Sequence, residues 1–185
     1  SADARAAIDW ARRKVPGLPV FAMGISMGGA TIIHAASEGA ALSGLVLLDP
    51  LLDTADVFAR GGWIQSGLPP ALFAPSAWAA MRFHGFPGGE QQALDRAAAL
   101  KLPILLLQDP DDPVTRLPVS EDLARRNDNV SLWIAPPIDP GDERLAFKGR
   151  WGSHVAAFQF FPAQTVGQIS SFIDRVTAAA KPPTL

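Results

Sequence analysis

The stretch PVFAMGISMGGATIIHAA, residues 19–36, decides the fold of this chain. A short apolar run, Val20 to Met23, is typical of a buried strand, and a helix-compatible run follows it after a tight turn. The turn fits the pattern G-x-S-x-G, with Ser26 at its centre. Because glycine lacks the Cβ atom that would clash where a strand turns at once into a helix, we expect Gly24 and Gly28 to be required by close packing.

This turn makes Ser26 a candidate nucleophile. It would lift the Ser26 hydroxyl above the end of the sheet, at the N-terminus of the next helix, where the helix dipole and free N–H groups favour negative charge. The backbone N–H of Met27 is then a candidate oxyanion donor. The alternative is a serine in a purely structural turn. The strand–turn–helix context favours the nucleophile.

Three further apolar runs predict strands, and helical patterns alternate with them. The strands are LSGLVLLDP (42–50), LPILLLQDPDDP (102–113) and VSLWIAP (130–136). The helical patterns cover residues 3–14, 28–37, 90–99, 118–127 and 163–179. This alternation predicts an α/β fold, with a mostly parallel sheet covered by helices on both faces, in a single domain spanning 1–185.

Residues 51–89 interrupt this alternation with many large apolar side chains, broken by proline and glycine. We interpret them as a small cap-like region over a pocket, because so many apolar groups need a surface to bury against. The alternative is an irregular connection packed on the sheet. The candidate substrate-pocket residues are Trp63, Leu68, Phe73 and Trp78, with Trp151 from outside the region.

A serine nucleophile needs a base, and the chain has three histidines. His154 follows the fourth strand and precedes the last helix, so it is expected at the same end of the sheet as Ser26. His34 lies two turns into the helix after the elbow and is expected to point away from it. His84 lies in the cap-like region. We therefore predict that His154 is the base.

An orienting carboxylate is expected from the loop after the third strand. Asp112 is the favoured acid, because it follows the strand by a few residues and Pro113 helps to fix its turn. Asp111 is the near alternative, and Asp49, at the end of the second strand, is the distant one. The order serine, aspartate, histidine, each beyond a strand, is that of a known hydrolase arrangement.

Composition excludes several classes of function. The net charge is −2 and the chain has no long basic run, which argues against nucleic acid as a partner. It has no cysteine, so disulfides and thiolate chemistry are excluded. Its apolar runs are far shorter than the ~20 residues of a membrane span. We expect no stable membrane insertion, no signal peptide, a cytoplasmic location, and no metal or organic cofactor.

The segments GISMGG, PILLLQDPDDPVT and GSHVAAF resemble, in this order, the nucleophile elbow, acid loop and histidine loop of the α/β-hydrolase superfamily. The nearest likeness is to the serine esterase and lysophospholipase-like, or serine aminopeptidase-like, branch. The resemblance implies Ser26 as nucleophile, Asp112 as acid and His154 as base, in a carboxylesterase acting on a small-molecule ester. Hydrolysis of a thioester or amide by the same triad is the alternative. A glycine is usual in the family where this chain has Gln108-Asp109.

The same resemblance implies strands and an oxyanion loop before the elbow, where this chain has only one predicted helix. We therefore expect an N-terminally truncated form of the fold, with an unpaired strand edge beside Ser26. A homodimer or a complementing N-terminal polypeptide would cover that edge. The alternatives are a minimal enzyme with rebuilt contacts, or a weak or inactive fragment. The sequence HGFPGG at His84–Gly89 is similar to an oxyanion loop, which we interpret as coincidence.

Overall fold

The computed structural model describes residues 2–83 and 92–179. The strands are β1 (Phe21–Ile25), β2 (Gly44–Leu48), β3 (Ile104–Gln108) and β4 (Val130–Ile134). The helices are α1 (Ala2–Lys14), α2 (Met27–Ser37), α3 (Thr54–Ser66), α4 (Ala74–Phe83), α5 (Gln92–Ala99), α6 (Leu117–Arg126), α7 (Ala157–Phe160) and α8 (Pro162–Ala179). Short 3₁₀ segments cover Pro70–Leu72 and Glu143–Trp151. All four predicted strands and all five predicted helices are present.

The four strands form one parallel sheet in the order β1-β2-β3-β4. The register pairs Ile25 with Leu48, Leu48 with Leu107, and Gln108 with Ile134. The carboxyl ends of all four strands therefore lie level at one edge of the sheet. Loops that leave this edge can bring side chains from distant parts of the sequence together. The predicted α/β class and parallel sheet are confirmed.

The core lies on both faces of the two central strands, β2 and β3, whose residues are all buried. Alternating residues of these strands face opposite sides. On one face, Leu47 and Leu106 belong to a buried cluster with Ile33 of α2. On the other face, Leu48 and Leu107 cluster with Phe172 of α8. Burial on both faces is why these strands are continuous apolar runs.

The two outer strands are less buried than the central pair. Residues of β1 and β4 are part-buried or exposed apart from buried Gly24, with Met23 42% and Ile25 44% exposed in β1. Within the described residues, β1 has a hydrogen-bonded strand on one side only, which is β2. An edge strand buries less side-chain surface, and its outer backbone groups are unpaired.

Residues 51–83, in the region predicted to be cap-like, form two helices rather than an irregular connection. The Asp53 side chain caps α3 by accepting a 3.1 Å hydrogen bond from the Asp56 amide, and Gly67 ends the helix at a φ of 79°. Helix α3 packs against α4. The remainder of the region, 84–89, with His84 and the HGFPGG sequence, lies outside the described residues.

Among residues 2–83 and 92–179, no helix combines the length and apolar character needed to cross a lipid bilayer.

Candidate active site

The turn between β1 and α2 holds Ser26 in an unusual backbone conformation, with φ 50° and ψ −119°. Non-glycine residues rarely adopt a positive φ, so neighbouring contacts must maintain it. The Ser26 amide donates to the Leu48 carbonyl at 3.0 Å, and the Ser26 carbonyl accepts from the amides of Gly29 at 2.9 Å and Leu51 at 3.0 Å. These bonds fix the serine backbone at the carboxyl end of β1.

The close packing expected of the glycines around the turn is found at Gly24 but not at Gly28. A Cβ atom on Gly24 would lie 2.6 Å from the backbone oxygen of Gly28, and one on Gly29 would lie 2.8 Å from Pro50 Cβ. A Cβ atom on Gly28 would have nothing within 4 Å. The steric role predicted for Gly28 is therefore wrong. Close approach requires glycine at positions 24 and 29, because their Cα atoms face the opposing backbone and Pro50.

Three side chains from separate loops form one hydrogen-bonded chain at this edge of the sheet. His154 Nε2 lies 3.0 Å from Ser26 Oγ, and His154 Nδ1 lies 2.7 Å from Asp112 Oδ2. His154 is 4% and Asp112 5% exposed, whereas Ser26 is only partly buried. This arrangement can pass a proton from the serine hydroxyl to the imidazole while the carboxylate fixes the tautomer.

The Asp112 carboxylate is held by its own loop. Its Oδ1 accepts hydrogen bonds from the amides of Val114 at 2.7 Å and Thr115 at 3.0 Å, and its Oδ2 accepts from Thr115 Oγ1 at 2.7 Å. Buried Gln108 closes the loop by donating to the carbonyls of Asp109 at 3.0 Å and Thr115 at 2.8 Å. This chain has Gln108-Asp109 where the resembling family usually has a glycine, and the Gln108 side-chain amide links the two ends of the loop.

The two alternative acids lie in other environments. Asp111 is exposed and lines a neighbouring cavity. Asp49 is fully buried and does contact the site: its Oδ1 accepts from the Asp109 amide at 2.8 Å, and its Oδ2 accepts from the Val155 amide at 2.9 Å. Burial, with the nearby charge of Asp112, raises the pKa of Asp49 well above its usual range.

Asp49, Asp112 and His154 each offer a ligand atom within 4.8 Å of the others, a spacing that could hold a metal ion. Both oxygens of Asp49 and both of Asp112 already accept hydrogen bonds from protein donors, and both His154 ring nitrogens lie beside oxygens of the chain. The donor set therefore fits a hydrogen-bonded proton relay better than a cation site.

The oxyanion donor predicted at Met27 lies at the first position of α2. The first four amides of an α-helix have no acceptor within the helix, so the Met27 N–H is available at the helix N-terminus beside Ser26. Its side chain is 71% exposed. Met27 is therefore accessible to solvent beside Ser26.

The predicted pocket residues divide into those beside the site and those away from it. The imidazole of His154 stacks on the Trp151 ring, with centroids 5.8 Å apart. Trp63 lines a cavity of about 540 Å³ that borders the histidine and acid loops through Ser153 and Pro113. Leu68, Phe73 and Trp78 do not line that cavity, and neither does Ser26. Phe73 packs on Gly62 of α3, and Leu68 and Trp78 are more than half exposed.

The other histidines take no part in this chain of hydrogen bonds within the described residues. His34 lies partly buried in α2, and burial lowers its pKa. Its backbone carbonyl accepts a hydrogen bond from the amide of Glu38, the residue that caps the C-terminus of the helix. His84 lies outside the described residues.

Several residues that contact the site carried no signal in the sequence. Lys148, in the 3₁₀ segment before the histidine loop, donates from Nζ to the His154 carbonyl. Thr115 and Gln108 hold the acid loop. A lone polar residue in a loop is usually solvated, so only the folded chain identifies these contacts. Asp49 could be identified as a candidate from the sequence, because an acid at the end of a parallel strand lies at the edge where such sheets bind ligands.

Comparison with known proteins agrees with this architecture. Residues 1–80 match the family model Hydrolase_4, described as serine aminopeptidase, S33. The esterase Pf2001 of Pyrococcus furiosus is 22% identical with a TM-score of 0.67, and the match covers 95% of this chain and 60% of that one. Proline iminopeptidase of Mycobacterium smegmatis is 13% identical with a TM-score of 0.61, covering 96% and 72%.

No curated protein gives a significant match. The chain spans about 60% of the length of the Pyrococcus esterase. The parallel sheet, the strand–turn–helix elbow and the structural neighbours show that this chain has the fold of the α/β-hydrolases, and residues 1–80 match the serine aminopeptidase-like family model.

Proposed function

We propose that this protein is a serine hydrolase that cleaves carboxylic esters through an acyl-enzyme. The observation that carries the proposal is the hydrogen-bonded chain from Ser26 Oγ through His154 to Asp112, at 3.0 Å and 2.7 Å. Serine is a weak nucleophile until an adjacent base removes its proton, and that base needs a third group to orient it. All three groups are in contact here.

In the proposed reaction, Ser26 Oγ attacks the acyl carbonyl while His154 Nε2 takes the hydroxyl proton. Collapse of the tetrahedral intermediate breaks the bond to the leaving alcohol, which receives that proton from His154 and leaves an acyl-serine. Water then gives a proton to His154 and attacks the acyl carbon. The second intermediate releases the carboxylic acid, and Ser26 recovers its proton.

The supporting groups have separate tasks. Asp112 holds the imidazole so that Nε2 faces Ser26, and its negative charge stabilises the imidazolium that forms. The Met27 N–H donates to the oxyanion of the intermediate at the start of α2. Trp151 beside His154 and Trp63 in the adjoining cavity offer apolar surface, which suits an ester with a modest acyl group or an aromatic ester.

A second candidate is amide or peptide hydrolysis, or thioester hydrolysis, by the same three residues. The matched family model is described as serine aminopeptidase, and one structural neighbour is a proline iminopeptidase. Fold and triad are shared between these chemistries, so pocket shape decides between them. Values of kcat/KM for matched ester, thioester and anilide substrates would identify the preferred class.

The proposed role of Ser26 as nucleophile predicts burst kinetics. Pre-steady-state hydrolysis of p-nitrophenyl butyrate is expected to show a burst of p-nitrophenol equal to one per active site. Changing Ser26 to alanine removes the attacking oxygen and should lower kcat by about 10⁴- to 10⁶-fold. The control is Ser170→Ala, which changes an exposed serine on α8 and should retain both burst and kcat.

Labelling with a fluorophosphonate, followed by peptide mapping, gives an independent readout. Modification confined to Ser26 is expected, because only an activated serine reacts rapidly. Unchanged turnover in Ser26→Ala would contradict the assignment. A folded wild-type protein that shows neither turnover nor labelling would favour the alternative of an inactive or partner-dependent chain.

A further inference from the structure

The peptide bond that follows His154 is held at both of its polar groups. Its carbonyl oxygen accepts a hydrogen bond from Lys148 Nζ, and its N–H, on Val155, donates to Asp49 Oδ2 at 2.9 Å. A peptide unit is planar, so hydrogen bonds at both of its polar groups restrict its orientation. This peptide plane carries the Cα atom from which the His154 imidazole extends.

The other oxygen of Asp49 reaches the loop that carries the acid. Asp49 Oδ1 accepts from the Asp109 amide at 2.8 Å, three residues before Asp112. Asp49 itself follows β2, the strand between β1 and β3. One buried carboxyl therefore links the histidine loop and the acid loop to the centre of the sheet.

Backbone conformation supports the same link. Val155 has a φ of 53° and Asp49 a φ of 42°. A β-branched residue such as valine avoids this region, so such a conformation persists only where surrounding contacts impose it. The bond from the Val155 amide to Asp49 is one contact that does so.

The surroundings of Asp49 are electrostatically unfavourable for a charged carboxylate. It is fully buried, and burial followed by the charge of Asp112 raises its pKa well above the usual range. Lys148 is half-buried, and burial lowers its pKa although the carboxyls of Asp112, Asp49 and Asp109 favour its charged form. Burying such groups costs free energy unless they are hydrogen-bonded, as both are here.

We propose that Asp49 and Lys148 are positioning residues, which clamp the His154–Val155 peptide and so hold the imidazole within hydrogen-bonding distance of both Ser26 and Asp112. The inference rests on the proposed role of His154 as the base. Neither Asp49 nor Lys148 touches the reacting atoms in this role, and both act through His154.

The test compares Asp49→Asn and Lys148→Met with wild type. Asparagine keeps one acceptor oxygen and places an NH₂ group where the second acceptor stood, so one of the two loop amides loses its partner. Methionine keeps the length of the lysine stem without its donor. The control is Asp53→Ala, which removes the side-chain cap of α3 and lowers stability at a site away from His154.

Two readouts separate positioning from stability. The first is kcat and KM for p-nitrophenyl butyrate, normalised to the fraction folded. The second does not need activity: it is the low-field proton resonance of His154 Nδ1–H in its short, charge-assisted bond to Asp112. The charged groups that interact with one another around this pair are Asp49, Asp109, Asp112 and Lys148.

We expect Asp49→Asn to lower kcat roughly 10- to 100-fold with KM within about twofold, because small misplacement of a catalytic group has effects of that size. Lys148→Met should lower kcat roughly 3- to 10-fold in the same way. Both variants should shift or broaden the His154 resonance. Asp53→Ala should lower Tm and leave the resonance and kcat unchanged.

Normal kcat with an unshifted resonance in a folded Asp49→Asn protein would overturn the proposal, as would a lowered Tm alone. If Asp49→Asn fails to fold, Lys148→Met decides by the same two readouts. If the wild-type protein hydrolyses no ester, the proposed function fails. The His154 resonance still tests whether Asp49 and Lys148 position the imidazole.

Discussion

Three aspartates near the end of β3 and β2 differ in what their carboxyl groups contact. Asp112 faces His154 and accepts from Val114 and Thr115, whereas Asp111 is exposed. Asp49 holds backbone amides of two loops. Sequence position favours Asp112 over Asp111 and Asp49, and the contacts add that Asp112 bonds to His154, Asp111 faces solvent and Asp49 is a buried hydrogen-bond acceptor.

This difference predicts opposite outcomes for two neighbouring substitutions. Asp112→Asn should lower kcat about 10⁴-fold, because an amide favours the wrong imidazole tautomer and cannot stabilise the imidazolium. Asp111→Asn, the matched control, should change kcat by less than about threefold, as expected for an exposed group away from the proton path. Steady-state kinetics with p-nitrophenyl butyrate measure both. Equal losses in the two variants would contradict the choice of Asp112 as the acid.

The raised pKa of Asp49 predicts how stability varies with pH. The folded protein holds this proton more tightly than the unfolded chain, whose ordinary aspartate pKa is 3.8. The contribution of Asp49 to the free energy of unfolding is therefore most favourable below that value and decreases as pH rises through the folded pKa. In Asp49→Asn this decrease should be absent, so the two stability curves should converge as pH rises.

Urea unfolding at a series of pH values from about 4 to 7 checks this expectation. Burial also raises the pKa of Asp109, which interacts with Asp49, so the difference between Asp49→Asn and wild type reports Asp49 together with this interaction. Asp53→Ala should run parallel to wild type. A constant difference between Asp49→Asn and wild type across the series would contradict the raised pKa.

At the scale of the element, the turn between β1 and α2 depends on two close approaches. Gly24→Ala would place a Cβ atom 2.6 Å from the Gly28 backbone oxygen, which cannot move away as a side chain can. We expect it to lower the free energy of unfolding by about 1–3 kcal/mol, as overpacking does. Gly28→Ala meets nothing within 4 Å and, inside a helix, should be neutral or stabilising by up to about 1 kcal/mol.

Urea midpoints of the two alanine variants test this contrast, with circular dichroism to confirm that each is folded. Equal destabilisation by both would contradict the distinction between a close approach at Gly24 and open space at Gly28. Activity adds a second measure, since displacement of the turn moves Ser26 away from His154.

Helix α3 shows how an element in the cap-like region is joined to the site. Arg60 donates to the Pro113 carbonyl at 3.0 Å in the acid loop, and Arg150, beside the histidine loop, donates to the Ile64 carbonyl at 3.1 Å. Arg60 and Arg116 both pair with Asp56 of the same helix. The helix is therefore bonded to segments on both sides of the His154–Asp112 pair.

At the scale of the whole molecule, the most consequential feature is the outer edge of β1, which no strand of the described residues covers. Met23 and Ile25 are both more than 40% exposed, and Ser26 follows directly. The matched Pyrococcus esterase has polypeptide beyond the aligned part, since the match covers 60% of it. We propose that polypeptide outside residues 1–185 pairs with this edge in the working protein and completes the oxyanion site.

The 185-residue chain by itself should then self-associate through that edge, because unpaired apolar strands template association. Size-exclusion chromatography with light scattering is the measurement. A Met23→Lys, Ile25→Lys double variant should shift the chain towards monomer, since charged residues protect strand edges, whereas the same change at exposed Val166 on α8 should not. A folded, monodisperse monomer of the unmodified chain would contradict the proposal.

Most of the architecture could be predicted because it depends on local patterns. Runs such as LVLL and ILLL are apolar since β2 and β3 are buried on both faces, and the helices between them show the 3.6-residue period. The helices of residues 54–83 were missed because apolar groups separated by proline and glycine mask that period. The order of the strands along the chain, and that of the candidate catalytic residues, could also be read from the sequence.

The amino-acid sequence by itself determined the strands, the elbow around Ser26 and the chain order of serine, aspartate and histidine. Only the tertiary structure decided that Gly29 rather than Gly28 is sterically constrained, that Asp112 rather than Asp111 faces His154, and that Asp49 and Lys148 hold the same peptide. The physical reason is distance along the chain. Local steric and hydrophobic preferences act over a few residues, whereas these contacts join loops up to about a hundred residues apart, where the folded sheet sets their spacing.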